Sequence, residues 1–238
     1  MKHCFIVTSA INTRFGIYAA DKRLSQTLNT VSSIRSRVAD AKIVLIEMAG
    51  VPLTSHQEKT LVSEVDMLLD FSNDNWVSEI YQSTDNWDIV KNSTEITATK
   101  LALELLLADQ DLAGIDRVHK ISGRYVLNDN FKLTDYSDPA VQSKIVISKR
   151  RPSAFPPHFT DQKFEYMSRL WSWPTELTPV VISTYEKSIT NFVNTTASGG
   201  YIDIEHSLGK FLPPQHVHEV DVIGVQGNIG PNGVAVAD

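Results

Sequence analysis

The chain has 238 residues, with 22 basic against 28 acidic side chains, a net charge of −6 and one cysteine. That length supplies a sizeable core for one large or two small domains, and 42% hydrophobic with 21% charged residues excludes a disordered or fibrous chain. The lone Cys4 excludes an internal disulfide and a thiolate zinc site and points to a reducing, cytoplasmic setting, while the mild acidity speaks against a nucleic-acid partner but not against a small anionic ligand.

Residues 3–8 form a short apolar run, the pattern of a strand buried on both faces rather than of a leader or membrane span. Residues 21–37 carry Leu24, Leu28, Val31 and Ile34 at spacings of four, three and three, which predicts an amphipathic helix. A second strand follows over 42–47. Thr54 with Gln57 three residues on has the spacing of a capping box and opens a short helix to about Val62. A third strand is expected over 66–71, a strong helix over 92–108, and a fourth strand over 117–127 with a break at Gly123.

Strands alternating with helices at this rhythm imply βαβ units and a mostly parallel sheet with helices on both faces. Ligands of such sheets lie beyond the carboxyl ends of the strands. The positions that matter are therefore Thr8, Ser9 and Ala10, then Glu47, then 72–74, then 122–129.

The second half is less regular. A strand over 144–148 runs into Lys149-Arg150-Arg151, a basic run that reads as a solvated strand end. Pro156-Pro157 and Trp171-Ser172-Trp173-Pro174 mark loops, and Trp171, Trp173, Tyr166 and Phe164 read as core plugs beneath them. Helices are expected over 180–193 and 202–211, and a last strand over 219–225. No linker divides the chain, so 1–226 reads as one domain, with halves 1–130 and 131–226. Residues 227–238, rich in Gly and Asn, read as a loosely held tail. The late Gly224, Gly227 and Gly230 lack dinucleotide-binding spacing, and no P-loop, Ser-His-Asp or zinc signature is visible.

The segment from Asp116 to Tyr125 carries the most chemistry. Lys120 and Arg124, with Ser122 and Gly123 between them, offer two cations and close backbone approach, which suits a diphosphate or carboxylate. The plain alternative is a solvated strand end paired with Asp116 and Asp129. Asp203, Glu205 and His206 form a second cluster; a carboxylate there suits a base taking a hydroxyl proton, and Asp203 equally suits a helix cap. His216 and His218 alternate, which on a strand would put both imidazoles on one face and suit a metal, but Pro213-Pro214 just before them suggests a loop, and two solvated histidines are the plain reading.

The Lys-Ile-Ser-Gly-Arg-Tyr stretch at 120–125, with Asn128-Asp129 behind it, resembles that of small GT-A-type, nucleotide-diphospho-sugar transferase-like glycosyltransferases. The opening Ile6-Val7-Thr8-Ser9-Ala10, the segments 23–28 and 32–35, and Gly199-Gly200-Tyr201-Ile202-Asp203-Ile204-Glu205-His206 resemble that fold's first strand, first helix and acceptor-side acidic motif in matching order. The resemblance covers most of 1–225. It implies a UDP-, GDP- or CMP-sugar donor across the first strands, with Thr8, Ser9 and Arg23 lining the nucleotide and Glu47 near the base or ribose. Lys120 and Arg124 would face the diphosphate, and Asp203, with Glu205 second, would be the base.

One departure matters. The family places an Asp-x-Asp pair after the fourth strand for Mn²⁺ or Mg²⁺, and here Ser122-Gly123-Arg124 stands instead. Either the cations neutralise the leaving diphosphate without a metal, or Asp129 with His216 or His218 still holds one weakly, or only binding remains. The favoured expectation is a glycosyltransferase acting on a hydroxyl of a glycan, lipid-linked or protein-linked acceptor. A non-catalytic nucleotide-sugar or glycan binder and a nucleotidyltransferase are the rivals.

Overall fold

The computed structural model describes residues 1–229 and 233–238, so Gly230 lies outside the described residues. In chain order the elements are β1 (His3–Ser9), α1 (Ala20–Arg37), β2 (Lys42–Glu47), α2 (Ser55–Val62), β3 (Met67–Asp70), α3 (Asn75–Ser83), α4 (Trp87–Ala108), β4 (Arg117–Ser122) and β5 (Tyr125–Leu127). There follow α5 (Pro139–Gln142), β6 (Ile145–Ser148), β7 (Arg151–Pro152), α6 (Pro157–Thr160), β8 (Phe164–Glu165) and β9 (Leu170–Pro174). The chain continues through α7 (Thr178–Ala197), α8 (Ile204–Phe211), β10 (Val217–Val220), β11 (Val225–Asn228) and β12 (Ala235–Ala237).

Every residue of β1 is buried, which an extended segment achieves only in a sheet covered on both faces. The central sheet has seven strands in the order β10-β6-β9-β4-β1-β2-β3. β1 pairs in parallel with β2 and β4, and β2 with β3. β9 runs antiparallel to β4 and β6, and β10 is parallel to β6, so the α/β sheet is mixed. Alternate side chains of each strand feed separate cores. Cys4, Ile6, Val44, Ile46, Trp171 and Trp173 pack beneath α4, α7 and α8. Phe5, Val7, Ile43, Leu45 and Ile121 pack beneath α1 and α2.

The Thr54–Gln57 capping box forms as its spacing predicts. Three segments depart from expectation. Trp171-Ser172-Trp173-Pro174 is not a loop but most of β9, between β4 and β6, with both indoles fully buried. Tyr166 is buried with them, whereas Phe164 is exposed. Residues 227–238 are not loosely held where described: β11 pairs with β5 and β12 with β11, forming a second, three-stranded sheet. The Asp238 side chain is buried between Arg151 and Arg169 as the ion-pair partner of both. The last expected strand, 219–225, divides into the end of β10 and the start of β11. The basic run after β6 is a solvated strand end, as expected, with its charges paired: Lys149 faces Asp221 at 3.6 Å and Arg150 faces Glu219 at 3.0 Å.

The short β5 has one edge on β11 and meets α1 on the other. Thr30 Oγ1 donates to the Tyr125 carbonyl at 2.8 Å, the Leu127 N–H donates to Ser33 Oγ at 3.1 Å, and Arg37 Nε reaches the Leu127 carbonyl at 3.2 Å. Helix hydroxyls thus substitute for a missing strand and seat the chain just past Arg124. Replacing Ser33 by Ala strands the Leu127 N–H, and chemical denaturation is expected to show a loss of about 1–2 kcal/mol. Unchanged stability would mean that this edge contact contributes nothing.

Candidate functional site

β1 is followed through α1 by β2 on one side, while β4 lies on its other side, so the crevice beyond their carboxyl ends is the switch point of the sheet. A cavity of about 290 Å³ opens there. Its floor is Thr8, Ser9, Ala10, Ser122, Gly123 and Arg124, and α4 forms a wall with Trp87, Lys91, Thr94 and Glu95. Gly123 is the tight point: its N–H donates to the Thr8 carbonyl at 2.8 Å, and a Cβ there would lie 3.1 Å from both that oxygen and Thr27 Oγ1. Its lack of a side chain lets the end of β4 close against β1 and α1.

Seven residues expected at the site are gathered on this cavity: Thr8, Ser9, Ala10, Arg23, Ser122, Gly123 and Arg124. They differ in what they have free. Arg23 is buried, and its guanidinium donates to the carbonyls of Tyr18 at 3.0 Å, Phe15 at 2.8 Å and Ala10 at 3.3 Å, holding the loop after β1 over the cavity. Arg124 makes no side-chain hydrogen bond or ion pair among the described residues, and its Nε is buried without a partner, as is Thr8 Oγ1. An unpartnered buried guanidinium N–H is costly unless a ligand completes it.

Two expected residues have other roles. Lys120 does not face the cavity: it is fully buried, and its ammonium donates to Glu95 Oε1 at 2.6 Å, Ser122 Oγ at 3.0 Å and the Ser168 carbonyl at 3.1 Å. All three N–H donors are occupied, because β4 is covered on both faces and an interior ammonium must be fully paired. Glu47 likewise has no exposed surface for a base or ribose. It accepts from Ser9 Oγ at 2.5 Å, Ile11 N at 2.9 Å and Ala49 N at 3.1 Å, tying together the loops after β1 and β2. Burial pushes its carboxyl up to about 7, against the pull of those donors.

α8 begins at the acidic cluster. Asp203 is its N-cap: Oδ1 accepts from the His206 N–H at 2.8 Å and from His206 Nδ1 at 2.6 Å, and Oδ2 accepts from the Tyr201 hydroxyl at 3.1 Å. Although burial opposes it, the bond from His206 holds Asp203 below its ordinary value. Glu205 differs: Ser168 Oγ donates to Oε1 at 2.5 Å, and burial with the neighbouring Asp203 charge raises its carboxyl despite Lys91.

Lys91 was invisible as a site residue in the sequence. It lines the cavity, and its side chain makes no hydrogen bond or ion pair among the described residues. Burial works against its charge, but Glu205, Glu95 and Asp203 outweigh it and raise its value. The signal for it is that Trp87, Lys91, Thr94 and Glu95 recur at spacings of four, three and one, which places them on one face of the first turns of α4.

The residues do not fit the Mn²⁺ or Mg²⁺ that the resemblance implies. Among the described residues no group of three His, Cys, Asp or Glu side chains is arranged to hold a metal ion, and where Asp203 and Glu165 meet His206, at 2.6 and 3.3 Å, they face its two ring nitrogens. The carboxylate on the cavity wall, Glu95, is paired with Lys120 and held below its ordinary value by it, despite burial. Asp129 is fully exposed, bonded to Arg37 at 2.7 Å, and does not line the cavity. His216 closes a turn and His218 lies in the edge strand β10, so the two do not share one strand face.

Glu47 has a consequence in solution. Its folded value near 7 lies above the unfolded carboxyl value, so the native state binds more protons between pH 4.5 and 7. Its contribution to stability is therefore expected to fall as pH rises through that window, by roughly 1–3 kcal/mol, and to level off above it. Denaturation at pH 5 to 8 is expected to show this slope in the parent and a flatter one in Glu47→Gln. Parallel profiles would mean Glu47 does not titrate there.

No helix among the described residues is long and apolar enough to cross a membrane. No protein-family model and no curated protein matches the sequence. Solved structures do. The galactosyltransferase LgtC, in complex with donor and acceptor sugar analogues, superposes with a TM-score of 0.57 over 91% of this chain and 73% of its own, at 11% identity. Core-mannan synthase A from Aspergillus fumigatus, in an Mn/GDP form, gives 0.53 over 98% of this chain and 77% of its own, at 10% identity. At such identities the likeness is one of fold, and this chain has a GT-A-like α/β fold.

Proposed function

We propose that this chain is a cytoplasmic glycosyltransferase of polysaccharide biosynthesis that moves a sugar from a UDP-, GDP- or CMP-sugar to a hydroxyl of a glycan, lipid-linked or protein-linked acceptor. The observation that carries this reading is a pair of cations, Arg124 and Lys91, whose side chains make no hydrogen bond or ion pair among the described residues, on a cavity at the switch point of a GT-A-like sheet. The acceptor oxygen bonds to the sugar carbon as the bond from that carbon to the phosphate oxygen breaks, and the electron pair leaves with the diphosphate. Arg124, at the position of the acidic pair that the resemblance implies, and Lys91, on the facing wall of the cavity, stabilise that developing charge. Lys120 acts at one remove, by fixing Glu95 and hence α4.

For the base, Glu205 is a better candidate than Asp203. Both oxygens of Asp203 are engaged and its proton affinity is lowered, whereas Glu205 has only one oxygen engaged and a raised value. The absent acidic pair favours one rival, a nucleotide-sugar binder without turnover, which differs by showing neither transfer nor donor hydrolysis.

Calorimetry with a UDP-, GDP- and CMP-sugar panel, in EDTA and then in Mn²⁺, tests the donor class. Binding of at least one donor in EDTA is expected, weakened about 10–100-fold by Arg124→Ala and in the same direction by Lys91→Met. A panel without binding overturns the reading.

Turnover separates the carboxylates. Glu205→Gln is expected to lower kcat by about 10²–10⁴ with donor affinity little changed. Because the base must be ionised, the parent rate should fall as pH drops through the raised Glu205 value. Asp203→Asn keeps an N-cap acceptor but weakens the charge-assisted bond from His206, and should chiefly lower stability, by about 1–2 kcal/mol. The reverse ranking in kcat returns the base to Asp203.

A further inference from the structure

A second cleft, of about 740 Å³, lies outside the donor cavity, between α1 and the small sheet β5–β11–β12. Lys22, Gln26 and Asn29 lie at spacings of four and three on one face of α1, with Tyr18 just before the helix. On the facing sheet, Val126, Gln226 and Ala237 are cross-strand partners, as are Asn228 and Ala235, so this set shares one face. The two alanines leave the floor low where larger side chains would fill it.

The lining chemistry is selective. In a chain with more acids than bases, the described residues of this cleft include no carboxylate. They include two cations, Lys22 and Arg124, and the amides of Gln26, Asn29, Gln226 and Asn228. The side chains of Lys22, Gln26, Asn29, Arg124 and Gln226 make no hydrogen bond or ion pair among the described residues, and Gln26 Oε1 is buried without a partner. Amides offer donors and acceptors side by side, as sugar hydroxyls do, and the cations complement a phosphate or carboxylate. Arg124 lines this cleft and the donor cavity alike.

We infer that this cleft binds an anionic saccharide, its hydroxyls on the amides and its phosphate or carboxylate on Lys22 and Arg124. Arg124 then couples its occupancy to that of the donor cavity. The site goes beyond the donor reading and stands without it, because Lys22 and Gln26 do not line the donor cavity.

Saturation-transfer NMR and calorimetry test it with glucose 6-phosphate, a uronic-acid disaccharide, neutral lactose and inorganic phosphate, on the full chain. Both anionic sugars are expected to bind, at least 10-fold tighter than lactose or inorganic phosphate. Lys22→Glu and Gln26→Leu should each weaken them 5-fold or more, with the melting temperature and nucleotide-sugar affinity of the parent. Absence of binding by the anionic sugars, affinity unmoved by both variants, or inorganic phosphate binding as tightly as glucose 6-phosphate overturns the inference. Failure of the donor panel alone leaves this result standing, so the two readings are tested separately.

Discussion

The ion pair between Lys120 and Glu95 sets the geometry of the site. Two opposite charges with almost no access to water cost several kcal/mol each to bury, and are tolerated only when every donor finds an acceptor. Here the ammonium has three acceptors, on α4, on the end of its own strand and on the segment leading into β9. Those three pieces are consequently held in one mutual arrangement, and the wall bearing Lys91 is placed relative to the turn bearing Arg124. Oily residues of similar size would fill the space with as much stability, but without fixing direction.

A second layer of organisation comes from groups that hold loops rather than ligand. Arg23 collects three carbonyls of the loop after β1, and Glu47 collects three donors from the loops after β1 and β2. Both are polar side chains whose partners are backbone groups that no ladder satisfies. The cavity is therefore bounded by irregular chain with its hydrogen bonds completed internally. The free polar atoms left on its surface, chiefly those of Arg124, stand out against that background.

Much of the fold was legible because period and composition carry it. The runs opening β1 and β2 are apolar without interruption, and α1 shows its stripe. β9 was not legible: Trp-Ser-Trp-Pro resembles a loop, and only its seat between β4 and β6 makes it a strand. At the site, Arg124 could be read from its place after Gly123, which marks a close turn. Lys120 misled because a charged residue reads as a surface one, whereas its neighbours Val118 and Ile121 already signalled a strand covered on both sides. Lys91 escaped notice because its significance comes from Glu205 and Asp203, more than a hundred residues further along, a proximity that no local pattern encodes.

The pairing of β5 with β11 joins Val126 to Gln226, so one side of the second cleft is assembled from segments a hundred residues apart. Closing so long a loop is entropically slow and is rewarded only after the intervening sheet has formed. The floor of the first cavity spans a longer separation still, because β1 pairs with β4 and sets Thr8 beside Ser122. Both clefts that Arg124 lines are therefore completed by long-range strand pairing, and neither can form from a local stretch of chain.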